Sequence, residues 1–407
     1  MAVDETEPTV AVVGGGLHGV CAAAHLRAAG LSVDDVCVLD PHPELLACFT
    51  ERTRRCGTRT LRSSVAHHVG ADCSLVEFAD DRDRAVELVS TTDYPRRPTL
   101  ELFLDHARHV VARQRLDDCH VQTTVTGVAR EGDGYRLSTR AGPVVADRVV
   151  LAVGVDAGLT YPDWARELPA TAPVTHVWAD DAAPSRLVDR PGRVAVVGGG
   201  ATAGQFACRL ATEVETETTL LCRRPLRVQQ AEAPAVWTEW DHLAETLHTL
   251  PPGSPDRHRL VRSARADGTV PPYLKVRLTK ARDRDRLAAH VREVTAAGPT
   301  TDGVRLRLSD GATVVAGTVV LATGLEAVSA HPIVARVAEE LGLARDDEGY
   351  PVACDRTLAW RRRDGSRSGV FPVGAAAVTT VGPLAPNLAG ARLAADRLVP
   401  QLAPAEA

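Results

Sequence analysis

Two glycine-rich stretches carry the clearest chemical signal in this sequence. In the first, Gly14, Gly16 and Gly19 form G-x-G-x-x-G between an apolar, β-branched run and a segment of small, helix-compatible residues. The first glycine permits a tight turn, the second lets the backbone approach a phosphate, and the third lets the helix pack close to the strand. Because such a turn directs free backbone N–H groups at an anion, the stretch predicts a site for the pyrophosphate of a dinucleotide.

The strand after this turn supports the same interpretation. It reads "VCVLD" and ends on Asp40, at the distance where the dinucleotide fingerprint places an acid that binds ribose hydroxyls. An ordinary glycine turn in an α/β unit is the alternative, and the agreement of strand, helix and acid makes it less favoured. We therefore predict a dinucleotide with a bare ribose at the first turn.

The second stretch has a sequence very similar to that of the first. "VAVVGGGATAGQFACRL" has Gly198, Gly200 and Ala203 in the permitted G-x-G-x-x-A form. Its following strand, "TTLLCRRP", ends on Arg223 and Arg224 instead of an acid. Guanidinium groups bind a 2′-phosphate through charge-assisted hydrogen bonds, so this site favours NADPH. A solvated strand end in an Arg-rich chain is the alternative.

The elements around the two motifs also repeat. "YRLSTRAG" and "DRVVLAVG" precede the second motif, and "VRLRLSDGATVVAGTVVLATGL" follows it, with a hairpin signal at Asp310 and Gly311. Each half is therefore predicted to be a nucleotide-binding unit with an appended small sheet, whose next strand returns to the main sheet. The expected fold class is α/β, with two Rossmann-type three-layer dinucleotide-binding domains.

Composition limits the possible functions. The chain has 407 residues, of which 44% are hydrophobic, and its net charge is −5. Proteins that bind nucleic acid usually carry an excess of basic residues on one face, so this composition does not indicate nucleic-acid binding. The acidic N-terminus lacks the features of a signal peptide, and no run is long enough for a membrane helix. The nine cysteines form neither a C-x-x-C pair nor metal-type spacing. We expect a cytoplasmic protein without metal, whose partner is a small molecule.

With these features the sequence resembles the class B flavin monooxygenases, and within them the ornithine and lysine N-hydroxylases. The stretch "YPRRPTLELFLDHARHV" is similar to their helix beside the flavin, "VVLATGL" is similar to their L-A-T-G-Y motif, and "THVW" keeps the His of the monooxygenase fingerprint. The resemblance implies FAD at the first turn and NADPH at the second. It also implies that Arg97, Thr323 and Gly324 contact the cofactors, and that members often form homo-oligomers.

The resemblance further implies a division into domains. A discontinuous FAD domain would comprise residues 1–165 and 327–407, with an NADPH domain of residues 166–326 inserted between them. Residues 226–297 read as a helical insertion broken by prolines, which in this architecture covers the mouth of the active site. Arg265, Tyr273 and Lys275 are its polar, potentially substrate-facing residues.

A polar loop follows the first nucleotide unit and has no counterpart of the Gln and Lys that contact flavin and substrate in the ornithine enzymes. "LRSSVAHHVG" offers Arg62, Ser63, His67 and His68. Histidines titrate near neutral pH, so we predict that His67 or His68 donates a proton or contacts substrate, with Arg62 beside them and Ser63 on the cofactor. Structural histidines are the alternative.

The C-terminal region should contribute a second contact to the flavin. In the wider flavoprotein group, a helix starting near Asn387 and Leu388 points its N-terminus at the ring edge that gains negative charge on reduction. Gly374 occupies the glycine of the usual G-D motif, but Ala375 replaces the aspartate. Contacts to the ribityl chain of the flavin must then come from other residues.

Together these features predict an NADPH- and O2-dependent FAD monooxygenase. The resemblance implies transfer of one oxygen atom through a C4a-hydroperoxyflavin to a soft nucleophile, with N-hydroxylation of a small amine or amino-acid-derived metabolite as the expected reaction. An NADPH-dependent flavin reductase of the disulfide or quinone type shares both nucleotide folds, although the missing dithiol pair counts against it. A nucleotide-binding scaffold without catalysis is the third hypothesis.

Overall fold

The computed structural model describes residues 8–71, 75–155, 157–187 and 192–403. The α-helices are α1 (Leu17–Ala28), α2 (Ala47–Arg55), α3 (Leu75–Asp80), α4 (Leu100–Arg113), α5 (Asp163–Arg166), α6 (Pro184–Leu187), α7 (Ala201–Thr212), α8 (Trp240–Glu245), α9 (Pro255–Ala264), α10 (Pro272–Asp283), α11 (Pro332–Glu340), α12 (Val378–Val381) and α13 (Leu388–Leu402). The strands are β1 (Val10–Val13), β2 (Val36–Asp40), β3 (Leu88–Thr91), β4 (Tyr94–Pro98), β5 (His120–Gln122), β6 (Val125–Glu131), β7 (Gly134–Thr139), β8 (Val144–Ala146), β9 (Arg148–Leu151), β10 (Val174–His176), β11 (Val194–Val197), β12 (Thr218–Cys222), β13 (Arg227–Val228), β14 (Thr269–Val270), β15 (Leu287–Val291), β16 (Val294–Thr300), β17 (Gly303–Leu308), β18 (Thr313–Ala316), β19 (Thr318–Leu321) and β20 (Val370–Pro372).

Two five-stranded parallel sheets organise the molecule. Their orders are β20-β9-β1-β2-β5 and β10-β19-β11-β12-β15. The central strands β1 and β11 share the sequence VAVV and are largely buried, as expected for strands covered on both faces. The predicted α/β fold with two Rossmann-type units is therefore confirmed, and the sequence repeat corresponds to a structural repeat.

Each sheet carries a three-stranded antiparallel appendage, β6-β7-β8 on the first and β16-β17-β18 on the second. The strand after each appendage, β9 or β19, pairs with the central strand of its main sheet, as the sequence predicts. Alternating residues of β17 are buried and exposed, because one face of this small sheet packs on a core and the other meets solvent.

The first sheet takes strands from both ends of the chain. β20 pairs with β9, although more than half of the sequence separates them. Helix α13 packs against α1 in the largest core cluster. The second sheet is formed entirely by the intervening segment.

The segment between β12 and α10 lies outside both main sheets and packs on the C-terminal part of the chain. The guanidinium of Arg257 is fully buried and donates to both carboxylate oxygens of Asp355, at 2.6 and 2.7 Å, and to the carbonyl of Thr379 at 3.1 Å. The region that the sequence indicates as a helical insertion, residues 226–297, also contains α10 and β15. These two elements belong to the second sheet, because α10 is the crossover helix that leads to its edge strand β15. None of the described helices is long and apolar enough to cross a membrane.

Candidate functional site

The first glycine turn leaves room for a ligand at one position and none at two others. A Cβ on Gly14 would lie 2.4 Å from the carbonyl oxygen of Ala152, and φ is +109°, a conformation that glycine tolerates best. A Cβ on Gly19 would lie 1.8 Å from the carbonyl oxygen of Gly14, so helix and strand can approach only without side chains. A Cβ on Gly16 would meet no atom within 4 Å. The open side of the turn is therefore at Gly16.

The polar groups at this turn suit an anion and a ribose. Helix α1 has no side-chain cap at Gly16 and no acid in its first turn, so its N-terminal N–H groups keep their attraction for negative charge. Asp40 is 8% exposed and accepts hydrogen bonds from the backbone N–H groups of Gly15, at 2.6 Å, and His42, at 2.9 Å. These bonds fix the carboxylate beside the glycine turn.

The second turn reproduces this geometry. A Cβ on Gly198 would lie 2.4 Å from the carbonyl oxygen of Ala322, and Ala203 is buried against the same position. Gly200 faces only the Cα of Gly268, at 3.9 Å from where its Cβ would be. Helix α7 again has neither a side-chain cap nor a first-turn acid. Both turns thus fit a dinucleotide phosphate.

Arg223 and Arg224 follow strand β12 and are exposed. Within the described part of the chain, neither guanidinium has a hydrogen bond or an ion pair, whereas many other arginines of this protein are paired with acids. These two unpaired guanidinium groups at the end of β12 are suited to bind the 2′-phosphate of NADPH.

A cavity of about 360 Å³ opens beside the second glycine turn. It extends from that turn toward the loop after α2 and toward the segment between β12 and α10. The lining residues that bear on function are Arg62, Trp178, Glu232, Arg265, Asp267 and Gly324. The cavity therefore joins a nucleotide turn to charged side chains from distant parts of the sequence.

Of the predicted catalytic residues, Arg62 lies on this cavity. Its guanidinium donates to the carbonyl oxygens of Gln229 and Gln230, both at 2.7 Å, and to the Thr269 hydroxyl at 2.8 Å. Burial lowers the pKa of Arg62, and Glu232 opposes that effect. Arg62 thus fixes the polar loop to the segment that forms the other cavity wall.

Glu232 connects this wall to the C-terminal helix. Its Oε2 accepts a hydrogen bond from Arg265 at 3.1 Å and another from the side-chain amide of Asn387. Arg265 also donates to the amide oxygen of Asn387, at 3.2 Å. Since both ends of its amide are engaged, Asn387 does not cap α13, whose N-terminus keeps no side-chain cap and no first-turn acid. Leu388, the first residue of α13, is buried.

The two adjacent histidines have different surroundings. His68 is 7% exposed and its ring lies 4.9 Å from that of His106, in edge-to-face contact. Burial, followed by the charge of His106, lowers the pKa of His68 to about 3, so it is neutral at pH 7. His67 is only partly buried, and its Nδ1 lies 3.2 Å from the hydroxyl of Ser64. The structure therefore separates the pair into a core residue and a loop residue.

Arg97 and Ser63 belong to the support of the same loop. Arg97 is 3% exposed, donates to the carbonyl of Leu61 at 2.9 Å and to the hydroxyl of Thr91 at 2.8 Å, and stacks over the ring of Tyr273 at 4.6 Å. These contacts hold the start of the polar loop against α10. Ser63 follows within this loop and is partly exposed.

Thr323 and Gly324 lie where the chain leaves the second sheet. The Thr323 hydroxyl donates to the carbonyl of Thr160, and the backbone N–H of Thr160 donates to the carbonyl of Gly324 at 3.2 Å. The two segments that connect the sheets therefore run side by side. His176, from the "THVW" stretch, also lies within hydrogen-bond distance of Gly324 O.

The C-terminal segment docks directly on the first glycine turn. Gly374 has φ +67°, and a Cβ there would come within 3.3 Å of the His18 ring. His18 Nε2 lies 2.8 Å from the carbonyl oxygen of Ala385. Burial lowers the pKa of His18. Gly374 thus allows the close approach of the two ends of the chain at the candidate phosphate site.

Sequence reasoning did not single out Glu232 or Asp267. Both lie in the segment between β12 and α10, where the sequence has no motif that separates a cavity residue from a solvated one. The Arg-rich composition also hid the pairing of Glu232 with Arg62 and Arg265. Only the folded chain brings these charges to one cavity.

Comparison with known proteins identifies the fold. Residues 11–156 match a family model described as FAD-NAD(P)-binding. Among curated protein sequences, none matches the chain significantly. The ornithine N-hydroxylase of Kutzneria sp. 744, solved with reduced FAD, NADP⁺ and L-ornithine, superposes with a TM-score of 0.76 at 18% identity, over 97% of this chain and 99% of that one.

Two further structures agree. The ornithine hydroxylase of Pseudomonas aeruginosa gives a TM-score of 0.75 at 17% identity, covering 97% of this chain and 98% of that one. The FAD-bound cadaverine monooxygenase of Erwinia amylovora, from desferrioxamine biosynthesis, gives 0.75 at 16% identity, covering 98% and 95%. The resemblance seen in the sequence is confirmed at the level of the fold: residues 11–156 match an FAD-NAD(P)-binding model, and the chain has the two-sheet architecture of these solved hydroxylases.

Proposed function

We propose that this protein is an FAD- and NADPH-dependent monooxygenase that N-hydroxylates a small amine. The observation that supports this most directly is the pair of open glycine turns, one per sheet, with a charged cavity beside the second. The shared fold with ornithine and cadaverine hydroxylases supports the same reaction class.

In this proposal FAD occupies the first turn, with Gly14, Gly16, Gly19 and Asp40 around its pyrophosphate and ribose. Gly374, Asn387 and Leu388 bring the uncapped N-terminus of α13 toward the same ligand. A helix N-terminus stabilises negative charge, and a reduced flavin carries it. The discontinuous FAD domain, residues 1–165 and 327–407, follows from this placement.

NADPH occupies the second turn, at Gly198, Gly200 and Ala203, within a domain of residues 166–326. Arg223 and Arg224 bind the 2′-phosphate. When bound, FAD supplies the chemistry, because its reduced ring activates O2 and delivers one oxygen atom to a nucleophilic nitrogen.

The protein's own side chains orient the reactants and limit the access of water. We assign to Arg62 the role of holding the cavity wall in place, because its guanidinium donates hydrogen bonds to backbone carbonyls of that wall. His67 is the better candidate for a proton donor because it is only partly buried, whereas His68 is 7% exposed, although burial lowers the pKa of both rings. Ser63, Arg97, Thr323 and Gly324 hold or contact the cofactors from the loop and from the connecting segments.

The cysteines inside the core do not favour a dithiol reductase, whereas, against the effect of burial, hydrogen bonds from Thr357 and Arg356 lower the pKa of the partly exposed Cys354. A thiolate is the reactive form of cysteine, and burial raises the pKa of Cys37 to about 12 and of Cys119 to about 11. Cys21, Cys56 and Cys222 are likewise buried and shifted upward. Buried thiols of this kind act as small hydrophobic residues.

Anaerobic reduction followed by oxygen tests the proposal. We expect the purified protein to be yellow, to be bleached by NADPH, and on admission of O2 to pass through a transient spectrum distinct from oxidised and reduced flavin. Addition of an amine should then yield a hydroxylamine, detected by mass spectrometry. Immediate reoxidation with stoichiometric hydrogen peroxide, for every amine tried, would indicate a reductase or oxidase instead. Failure to bind added FAD would indicate a scaffold.

A further inference from the structure

The first residue of helix α13 is preceded by an asparagine that is placed to cap the helix but does not cap it. Asn387 has the extended backbone of an N-cap residue, with φ −99° and ψ 169°, and asparagine is among the preferred residues at this position. Within the described part of the chain, its side chain makes no capping hydrogen bond. The preceding turn fixes the backbone, since the N–H of Asn387 donates to Leu384 O at 2.8 Å. The cap is therefore left open by the side chain alone.

Two charged residues hold the amide of Asn387 away from the helix. Its Nδ2 donates to Glu232 Oε2, and its Oδ1 accepts from the guanidinium of Arg265 at 3.2 Å. The charges determine this orientation, because an amide turned by half a rotation would place its oxygen on the carboxylate and its N–H groups on the guanidinium. The orientation that satisfies both charges is the one in which Asn387 cannot cap α13.

Glu232 is the common anchor of this arrangement. Its Oε2 also accepts from Arg265 at 3.1 Å, and its Oε1 lies 3.4 Å from the guanidinium of Arg62. Its backbone carbonyl accepts from the N–H of Ala266 at 2.9 Å, which fixes its position. The side chain is only 25% exposed, so solvent screens these charges incompletely. Loss of Glu232 would therefore free one end of the Asn387 amide and loosen the arginine at the other end.

The N-terminus of α13 lies beside the first glycine turn. His18 belongs to that turn, and its Nε2 is 2.8 Å from the carbonyl oxygen of Ala385, two residues before Asn387. In the proposed function FAD occupies this turn. Helix N–H groups without a cap stabilise negative charge, which a reduced flavin carries and an oxidised flavin does not. A capping side chain would engage one of those N–H groups.

We propose that Glu232 is a positioning residue that holds the amide of Asn387 away from the N-terminus of α13, so that the helix N–H groups stay available to reduced FAD. This inference rests on the placement of FAD in the proposed function. Once Glu232 is lost, the freed Asn387 should cap the helix and weaken the binding of reduced FAD more than that of oxidised FAD. The midpoint potential of the flavin reports this difference, whereas a merely structural role would affect both redox states alike.

Equilibration of the FAD-loaded protein with a redox dye, without NADPH, oxygen or amine, measures the potential. Glu232→Ala is compared in two backgrounds, wild type and Asn387→Ala, so that the direct effect of the lost charge cancels. The change in potential should be more negative when residue 387 is Asn, because Ala cannot cap. The expected difference is an about fivefold preference between redox states, or about 20 mV at about 30 mV per tenfold change for a two-electron couple. Glu245→Ala, at an exposed carboxylate on the last residue of α8, should leave the potential unchanged.

Arg265→Met is the second variant, and it keeps the test decisive if Glu232→Ala does not fold. It releases the other end of the Asn387 amide and removes a charge of opposite sign, so its direct effect on the potential reverses. The dependence on residue 387 should nevertheless have the same sign as for Glu232→Ala.

An equal change in both backgrounds, or a dependence of opposite sign, would overturn the positioning role and leave the monooxygenase proposal intact. Failure of wild type to bind FAD would overturn both. If the potentials behave as expected but no amine is hydroxylated, the role of Glu232 stands and N-hydroxylation fails.

Discussion

His176, the last residue of strand β10, lies beside the chain that leaves the neighbouring strand β19, with its Nε2 3.1 Å from the carbonyl oxygen of Gly324. The other ring nitrogen, Nδ1, accepts from the backbone N–H of Trp178 at 3.3 Å, so the ring proton must be on Nε2. The residue is fully buried, and burial lowers the pKa of His176. It is therefore a neutral link between strand β10 and the segment that follows β19.

Replacement of His176 should destabilise the protein. His176→Ala removes both bonds, leaves the backbone N–H of Trp178 without its partner and removes a fully buried ring, which should lower the free energy of unfolding by about 1–3 kcal/mol. Urea denaturation followed by tryptophan fluorescence measures this. The exposed His290 offers a control, and His290→Ala should fall within about 0.5 kcal/mol of wild type. Equal effects of the two variants would refute the crosslinking role.

Alanine scanning of the first glycine turn should separate folding from cofactor binding. Gly19→Ala places a methyl 1.8 Å from a backbone oxygen, so the apoprotein should lose about 1–3 kcal/mol of stability or fail to fold. Gly16→Ala meets no protein atom, so it should melt like wild type without FAD but bind FAD at least about tenfold more weakly. Thermal unfolding of apoprotein and FAD titration give the two readouts. If Gly16→Ala bound FAD normally, the pyrophosphate would not lie at this turn.

The pair Arg223 and Arg224 should determine coenzyme preference. The double alanine variant should raise the dissociation constant of NADPH by about ten- to a hundredfold and that of NADH by much less, because only NADPH carries the 2′-phosphate. Arg363→Ala, at another exposed arginine, serves as the matched control. Equal losses for the two coenzymes would show that the pair acts on something other than the 2′-phosphate.

The buried His68 should make the protein sensitive to acid. Its folded pKa of about 3 lies below the usual 6.5, so below pH 6.5 the unfolded chain binds a proton that the native state excludes. Stability should be complete above about pH 6.5 and should decline as the pH falls toward 3. His25, His67, His106 and Arg392 also oppose a charge at this position. His68→Leu should flatten the decline, as measured by urea midpoints between pH 7 and 4, and an unaltered slope would contradict this origin.

The sequence by itself determined the elements that local sterics control. Apolar runs, glycines at the turns and small residues in the helices specify the strand–turn–helix units of Gly14–Gly19 and Gly198–Ala203, and the structure confirms both. Repetition of the hairpins also indicated that β9 and β19 return to their sheets. These features depend on neighbours in the chain, which a sequence displays directly.

The tertiary structure decided what distant residues do together. His67 and His68 are adjacent in one loop, yet only His68 is in the core, because its ring packs against His106 of helix α4. Glu232, Asp267 and Asn387 have no shared motif, and their juxtaposition arises only when the segment after β12 folds onto the C-terminal helix. Charge pairing and burial are pairwise properties of the folded chain, and a linear sequence does not contain those pairs.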